Sequence, residues 1–170
     1  LKNLIGNLYR KNKRRLALVH GNLKWQSERS LLSDYKYALD ECGLEYDPQF
    51  VISHTQTTRD IDIRSEFLLE KLLLLKNVDA VFIDDAPNAL TLQGRLQSRG
   101  YKIPEDIIIT GGDNDPFFSY LTPKIPTLRP QYHLIAKTLL NKLLEPNRNV
   151  QPVVIESEYV IEAQNQFFLP

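Results

Sequence analysis

Carboxylates stand directly after two apolar segments, where they can bind a polar ligand. Asp84 and Asp85 follow one apolar run, and Asp113 follows Gly111 and Gly112 after another. A carboxylate accepts hydrogen bonds from vicinal hydroxyls or ring N–H groups, and glycines let the backbone approach a ligand closely. Asp113 is therefore the strongest candidate for a ligand contact, although an aspartate that bonds its own turn fits the same pattern.

The acidic pair allows two interpretations. Pro87 favours the first turn of a helix, and an aspartate just before such a turn often caps it by accepting from backbone N–H groups. Asp84 and Asp85 are therefore predicted as ligand contacts or as helix caps.

The segment after the first apolar run carries further polar and aromatic groups. Trp25, the only tryptophan, falls in a loop where its indole face could stack on a sugar or base, or could simply close the loop. Ser27 either donates to a ligand or caps the following helix. Arg29 either supplies a positive charge or remains solvated.

The sequence contains few signs of a metal site or of a catalytic site. His20 and His54 both end apolar runs, but no close HxH, HxxxH or HExxH spacing joins them, so we expect no metal and no cofactor. No nucleophile elbow, phosphate-binding loop or dinucleotide fingerprint is present. The basic residues of 10–15 are interpreted as a solvated turn rather than a DNA contact.

A fold of alternating strands and helices would position these groups. Short runs rich in Val, Ile or Phe predict buried parallel strands at 16–19, 50–53, 80–83 and 107–110. Helical stripes lie between them, one ending at Gly43, one over 63–75, and one over 87–99 before Gly100. The pattern predicts an α/β fold with a doubly wound parallel sheet, whose carboxyl edge carries the polar residues.

Two amphipathic segments fall outside this alternation, at 1–8 and at about 131–144. Four prolines within 116–130 indicate a crossing segment, and alternating residues at 153–161 predict an edge strand. We expect the two amphipathic segments to pack on something that this chain lacks.

Composition limits the possible functions. The 170 residues include 21 Lys and Arg and 21 Asp and Glu, so no overall charge attracts the chain to nucleic acid or an anionic membrane. No apolar run approaches the ~18 residues of a membrane span, and we expect a cytoplasmic location. Because methionine is absent, we expect a fragment of a longer protein.

Several motifs occur in an order that resembles the effector domain of LacI/GalR-type transcriptional regulators. They are RRLALV before Gly21, YKIPEDI at 101–107, GGDN at 111–114 and SYLTP at 119–123. The resemblance extends from about Leu4 to Ala163. It implies a type I periplasmic-binding-protein-like fold, in which two α/β subdomains flank a ligand cleft.

The resemblance also implies a division of the chain. Residues 15–119 and 150–163 would form the C-terminal, effector-binding subdomain. Residues 1–14 and 120–149 would be crossings and pieces of the N-terminal subdomain. Operator DNA would be bound only through a region upstream of Leu1.

The resemblance implies a set of contacts as well. The family holds its effector with an aspartate at the position of Asp113, while Leu31 and Gln56 replace its frequent arginine and aromatic residue. We therefore expect a sugar-like or other polar small-molecule effector, with contacts from Asp113, Trp25, Ser27, Asp85, Asp84 and Gln56. A homodimer is implied, with an interface that includes Leu92, Leu96, Phe118 and Tyr120.

Three functions follow as hypotheses. The first is the ligand-sensing and dimerisation domain of a transcription regulator, most simply a repressor. The second is a solute-binding protein of a sugar transport system, which shares the fold. The third is a Mg²⁺-dependent enzyme that uses the strand-end aspartates, although His20 and Gly111 occupy places where its acidic pair and lysine would be expected.

Overall fold

The computed structural model describes residues 1–54, 60–112, 118, 120–144 and 152–160, with 158–160 described as backbone only. A six-stranded sheet in the order β2-β1-β3-β4-β5-β6 lies at its centre. The strands are β1 (Leu16–His20), β2 (Val51–Ser53), β3 (Ala80–Ile83), β4 (Ile108–Gly111), β5 (Thr127–Arg129) and β6 (Glu158–Val160). The first five are parallel and β6 is antiparallel to β5. The predicted α/β fold and its first four strands are confirmed.

Five helices accompany the sheet. They are α1 (Lys2–Arg10), α2 (Gln26–Glu41), α3 (Ile61–Leu74), α4 (Ala86–Ser98) and α5 (Tyr132–Leu144). Gly43 and Gly100 adopt φ angles of 66° and 85°, the left-handed conformation in which glycine commonly follows a helix. The predicted ends of α2 and α4 are thus confirmed.

Alternate residues of the strands face two separate apolar layers, as the twofold repeat of a strand requires. Val81 and Ile83 face α3 and α4, whereas Ala80 and Phe82 face α1 and α2. Both faces of the central strands are therefore buried. The carboxyl edge of the sheet remains as the place where polar side chains can reach a ligand.

The prediction that the first helix lies outside the core is wrong. Leu4, Ile5 and Leu8 of α1 are 1%, 3% and 3% exposed and pack in one cluster with α2 and the sheet. A sequence pattern shows that a helix has an apolar face, but not which surface covers that face. Here α1 is part of the layer that supports β1, β3 and β4.

A strand that the sequence did not predict follows β4. Within the proline-rich segment, Thr127–Arg129 forms β5, whose Thr127 is in register with Gly111 of β4. That this segment crosses between subdomains stays a prediction. Within the predicted strand at 153–161, the described strand is β6, from Glu158 to Val160. Helix α5 has no buried residue, and no helix of the described chain is long and apolar enough to cross a membrane.

Candidate functional site

The ends of β3 and β4 come together closely at the carboxyl edge of the sheet. The Gly112 N–H donates to the Ile83 carbonyl over 3.0 Å. A Cβ added to Gly112 would lie 2.9 Å from the Asp84 Cα and closer still to its Oδ1. Only glycine fits there without displacing Asp84, so the sequence at Gly112 places the Asp84 carboxylate against the end of β4.

A cleft of about 480 Å³ opens beside this contact. It lies among α1, α2, the ends of β3 and β4, β5 and the segment that precedes β6. Its lining includes Leu31, Asp34, Phe82, Asp84, Gly112 and Leu128. The volume lies within the 300–1,000 Å³ typical of small-molecule sites, and apolar walls with a few carboxylates are a common composition for them.

Asp84 and Asp85 have different environments. The Asp85 Oδ1 accepts from the Asn88 N–H over 3.0 Å and so caps α4, while its Oδ2 lies 3.9 Å from an Arg64 guanidinium nitrogen. Asp84 lines the cleft and Asp85 does not. The capping interpretation therefore holds for Asp85, and the expectation of a ligand contact stays with Asp84.

The loop after β1 is held by its own hydrogen bonds. The Gly21 N–H donates to Glu28 over 2.7 Å, and Arg29 donates to the carbonyls of Leu23 and Lys24, each over 2.8 Å. Arg29 thus supports the loop. Neither sequence interpretation of Arg29, as a ligand cation or as a solvated residue, included this role.

Trp25 and Ser27 do not line the cleft with Asp84. Trp25 occupies the N-cap position of α2 without a side-chain capping bond, and 68% of it is exposed. Ser27 lies inside α2 and is exposed, so it is not the N-cap residue. Contact of either residue with an effector stays a prediction.

A polar cluster that the sequence did not predict lies near the ends of β2 and β3. Arg64 of α3 donates through Nε to Asn88 Oδ1 over 2.7 Å, and Asn88 is fully buried. Burial lowers the pKa of His54, Arg64 lowers it further, and Asp85 and Glu28 partly offset both effects. Arg64 falls one turn into its helix, but nothing in the sequence indicated that Asn88 on another helix would be its partner.

Two predicted contacts, Asp113 and Gln56, lie outside the described residues and stay predictions. Within the part of the chain that is described, no three His, Cys, Asp or Glu side chains are arranged to hold a metal ion. His20 is 3% exposed, and its Nδ1 lies 2.7 Å from the Gly21 carbonyl oxygen.

The predicted dimer contacts need correction. Leu92 and Leu96 are 0% exposed and Phe118 is 4% exposed, because they pack in the core between α4 and the sheet. These three side chains are too deeply buried to contact a partner subunit. Tyr120, the fourth predicted contact, is 82% exposed.

Comparison with known proteins places this geometry in a family. The profile of the periplasmic binding protein-like domain matches residues 5–161. The ribose operon repressor of Haemophilus influenzae is 29% identical over 155 residues, which are 87% of this chain and 45% of that protein. The transcriptional repressor PurR of Vibrio atlanticus is 29% identical over 131 residues, which are 77% of this chain and 38% of that protein.

Solved structures agree on the fold. One is a sugar-binding transcriptional regulator of the LacI family from Escherichia coli, complexed with phosphate, which has a TM-score of 0.78 at 16% identity. The match covers 94% of this chain and 58% of the regulator's chain. A LacI-family regulatory protein from Chloroflexus aggregans gives 0.78 at 19% identity, with the same coverages of 94% and 58%. The chain spans under half the length of the two repressors, at 45% and 38%. Since the family profile matches most of the chain, at residues 5–161, the chain belongs to the periplasmic binding protein-like domain family.

Proposed function

We propose that this chain is the greater part of the effector-sensing half of a LacI-type repressor. The observation that carries the proposal is the cleft of about 480 Å³ at the carboxyl edge, with Asp84 and Gly112 in its lining. Ligands of open α/β sheets bind outside this edge. The curated relatives are repressors and not enzymes, which supports a regulator over the phosphotransfer hypothesis.

The exposed apolar residues of helix α5 are evidence for a second subdomain on the far side of the cleft. It has no buried residue, and Leu139 and Leu143 are 59% and 77% exposed. An amphipathic helix gains most of its stability by packing its apolar face. We assign α5 to the N-terminal subdomain, whose other elements lie outside this chain, and the effector binds between the two subdomains.

The mechanism is a shift between an open and a closed cleft. An effector that binds the closed form more tightly raises the population of that form, and the crossing segments act as hinges. The change then reaches a DNA-binding region upstream of Leu1. Effector binding and operator binding are thereby coupled through one rearrangement.

The chain also supplies a homodimer surface in this proposal. Gln97 and Gln93 of α4 donate to the carbonyls of Thr122 and Pro123 over 3.0 and 2.8 Å. These bonds fix the segment that follows Tyr120 against α4. The exposed side of α4 together with Tyr120 forms the dimer surface.

Operator binding by the full-length protein tests the proposal. The probe is DNA from upstream of its own gene, titrated with a panel of monosaccharides, disaccharides and nucleosides, and fluorescence anisotropy is the readout. We expect at least one compound to change operator affinity by about tenfold or more, the coupling typical of such sites. A protein that ignores its upstream DNA but binds a sugar would instead favour the solute-binding hypothesis.

A further inference from the structure

Three carboxylates from three different elements surround the cleft. Asp34 comes from α2, Asp84 from the end of β3, and Glu156 from the segment before β6. Asp34 and Glu156 take part in none of the ion pairs between described residues. The negative charge of these two side chains is therefore not neutralised by a neighbouring lysine or arginine.

Lys2 is the one basic side chain among the described residues that line the cleft. Its Nζ lies 2.6 Å from Glu41 Oε2 and 5.3 Å from the centroid of the Tyr37 ring. The lysine charge is thus already paired with a carboxylate that does not line the cleft. The described residues that line the cleft therefore carry more negative than positive charge.

The segment that carries Glu156 is held beside the cleft by a hydrogen bond. The Gln131 side-chain amide donates to the Glu156 carbonyl over 2.8 Å.

The lining also has apolar walls. Leu31 and Leu128 are half-buried walls, and Phe82 is 5% exposed. When the cleft closes and water leaves, the carboxylates have stronger interactions than they have in open solvent. An anionic group there would face the like charges of the described lining, whereas hydroxyl and amino groups would donate to the carboxylates.

Building on the proposed function, we propose that the effector is an uncharged or amine-bearing molecule rich in hydroxyl or amino groups, and that carboxylate- and phosphate-bearing analogues are rejected. Asp34, Asp84 and Glu156 set this selectivity. The apolar side of the effector packs on Leu31, Phe82 and Leu128.

A first test measures the charge of the cleft in the full-length protein without any knowledge of the effector. Leucine methyl groups are observed by NMR at low salt, with an ammonium-bearing nitroxide or a carboxylate-bearing nitroxide of similar size. We expect the cationic probe to relax the Leu31 and Leu128 methyl groups at least about threefold more than the anionic probe, because surface potentials of this kind concentrate counter-ions. A ratio of one or less would overturn the proposal.

Charge-neutralising variants make this test specific. Asp34→Asn and Glu156→Gln should each move the relaxation ratio at Leu31 and Leu128 toward one. The control Asp40→Asn lies on the same helix as Asp34, outside the cleft lining, and should leave the ratio unchanged. An equal effect of all three variants would show that the net charge of the protein, and not the cleft, sets the ratio.

A second test compares matched ligands on the full-length protein by calorimetry. Glucose and glucosamine are paired with glucuronate and glucose 6-phosphate, and adenosine is paired with its 5′-phosphate. In every pair that shows binding, we expect the uncharged or amino member to bind with a dissociation constant about tenfold lower or more. Tighter binding of a carboxylate or phosphate member would overturn the proposal. Whether the cleft is a sensor at all is decided by the operator assay, so the two proposals fail separately.

Discussion

Asp84 and Asp85 are adjacent in the sequence but have different environments because the chain turns from strand to helix between them. Asp85 meets the free N–H groups of α4 and Arg64, while Asp84 lies against Gly112 in the cleft. The sequence supplied both interpretations for the pair. It did not show how they are divided, since this depends on Gly112, which is 28 residues from Asp84 in the chain.

Gly112 offers a direct test of this packing. The substitution Gly112→Ala places a methyl group against Asp84, and we expect it to destabilise the fold by about 1–3 kcal/mol, the usual effect of overpacking. The matched control is Gly94→Ala in α4, where the new Cβ meets nothing within 4 Å and should stabilise the helix by about 0.5–1 kcal/mol. Urea unfolding measures both, and effects of the same sign would contradict the packing at Gly112.

His54 links stability to pH. Its pKa is lowered from 6.5 by burial first and by Arg64 second, so the unfolded chain takes up this proton at a higher pH than the folded chain. Stability is therefore lost as the pH falls below ~6.5. We expect His54→Gln to lose less stability than the parent between about pH 7.5 and 5.5 in urea unfolding. An equal loss in the two proteins would contradict this role.

At the level of elements, periodicity predicted local structure well and packing partners poorly. The runs that became β1, β3 and β4 are buried on both faces and so are apolar at nearly every position, which makes them recognisable. β5 has three residues between prolines and carries no such signal. α1 and α5 look alike as amphipathic segments, yet one is packed and the other is exposed.

Because α1 is buried and α5 is exposed, two similar leucine-to-alanine substitutions should have unequal effects on the stability of the 170-residue chain. Leu4→Ala should cost about 2–5 kcal/mol because Leu4 is 1% exposed in the core. Leu140→Ala should change stability by less than about 0.5 kcal/mol because Leu140 is 56% exposed. Urea unfolding of both variants tests the assignment, and a large cost at Leu140 would mean that α5 already packs within this chain.

At the level of the whole molecule, our proposal makes the described residues one side of a larger assembly. α5 extends its apolar face outward, and Tyr120 is exposed beside α4. The core positions Leu92 and Leu96 support this surface from beneath. The resemblance implies a dimer region on α4, which stays a prediction, but it could not separate the inward from the outward side chains.

Tyr120 is therefore the residue to change in a test of the homodimer. In the full-length protein we expect Tyr120→Arg to weaken dimerisation by about tenfold or more, since exposed tyrosines are frequent hot spots of interfaces. Leu74→Arg, at a residue of α3 that is 75% exposed, is the control and should leave the dimer intact. Sedimentation velocity over a concentration series measures both, and equal dissociation constants would contradict the assigned surface.

Effector affinity of the full-length protein tests the central claim most directly. Calorimetry would compare the parent, Asp84→Asn and the control Asp40→Asn with the compound that changes operator binding. We predict that Asp84→Asn binds this compound at least about tenfold more weakly, the size expected when a charge-assisted hydrogen bond is lost, while Asp40→Asn binds it as the parent does. Unchanged affinity in Asp84→Asn would contradict the assignment of the effector to this cleft.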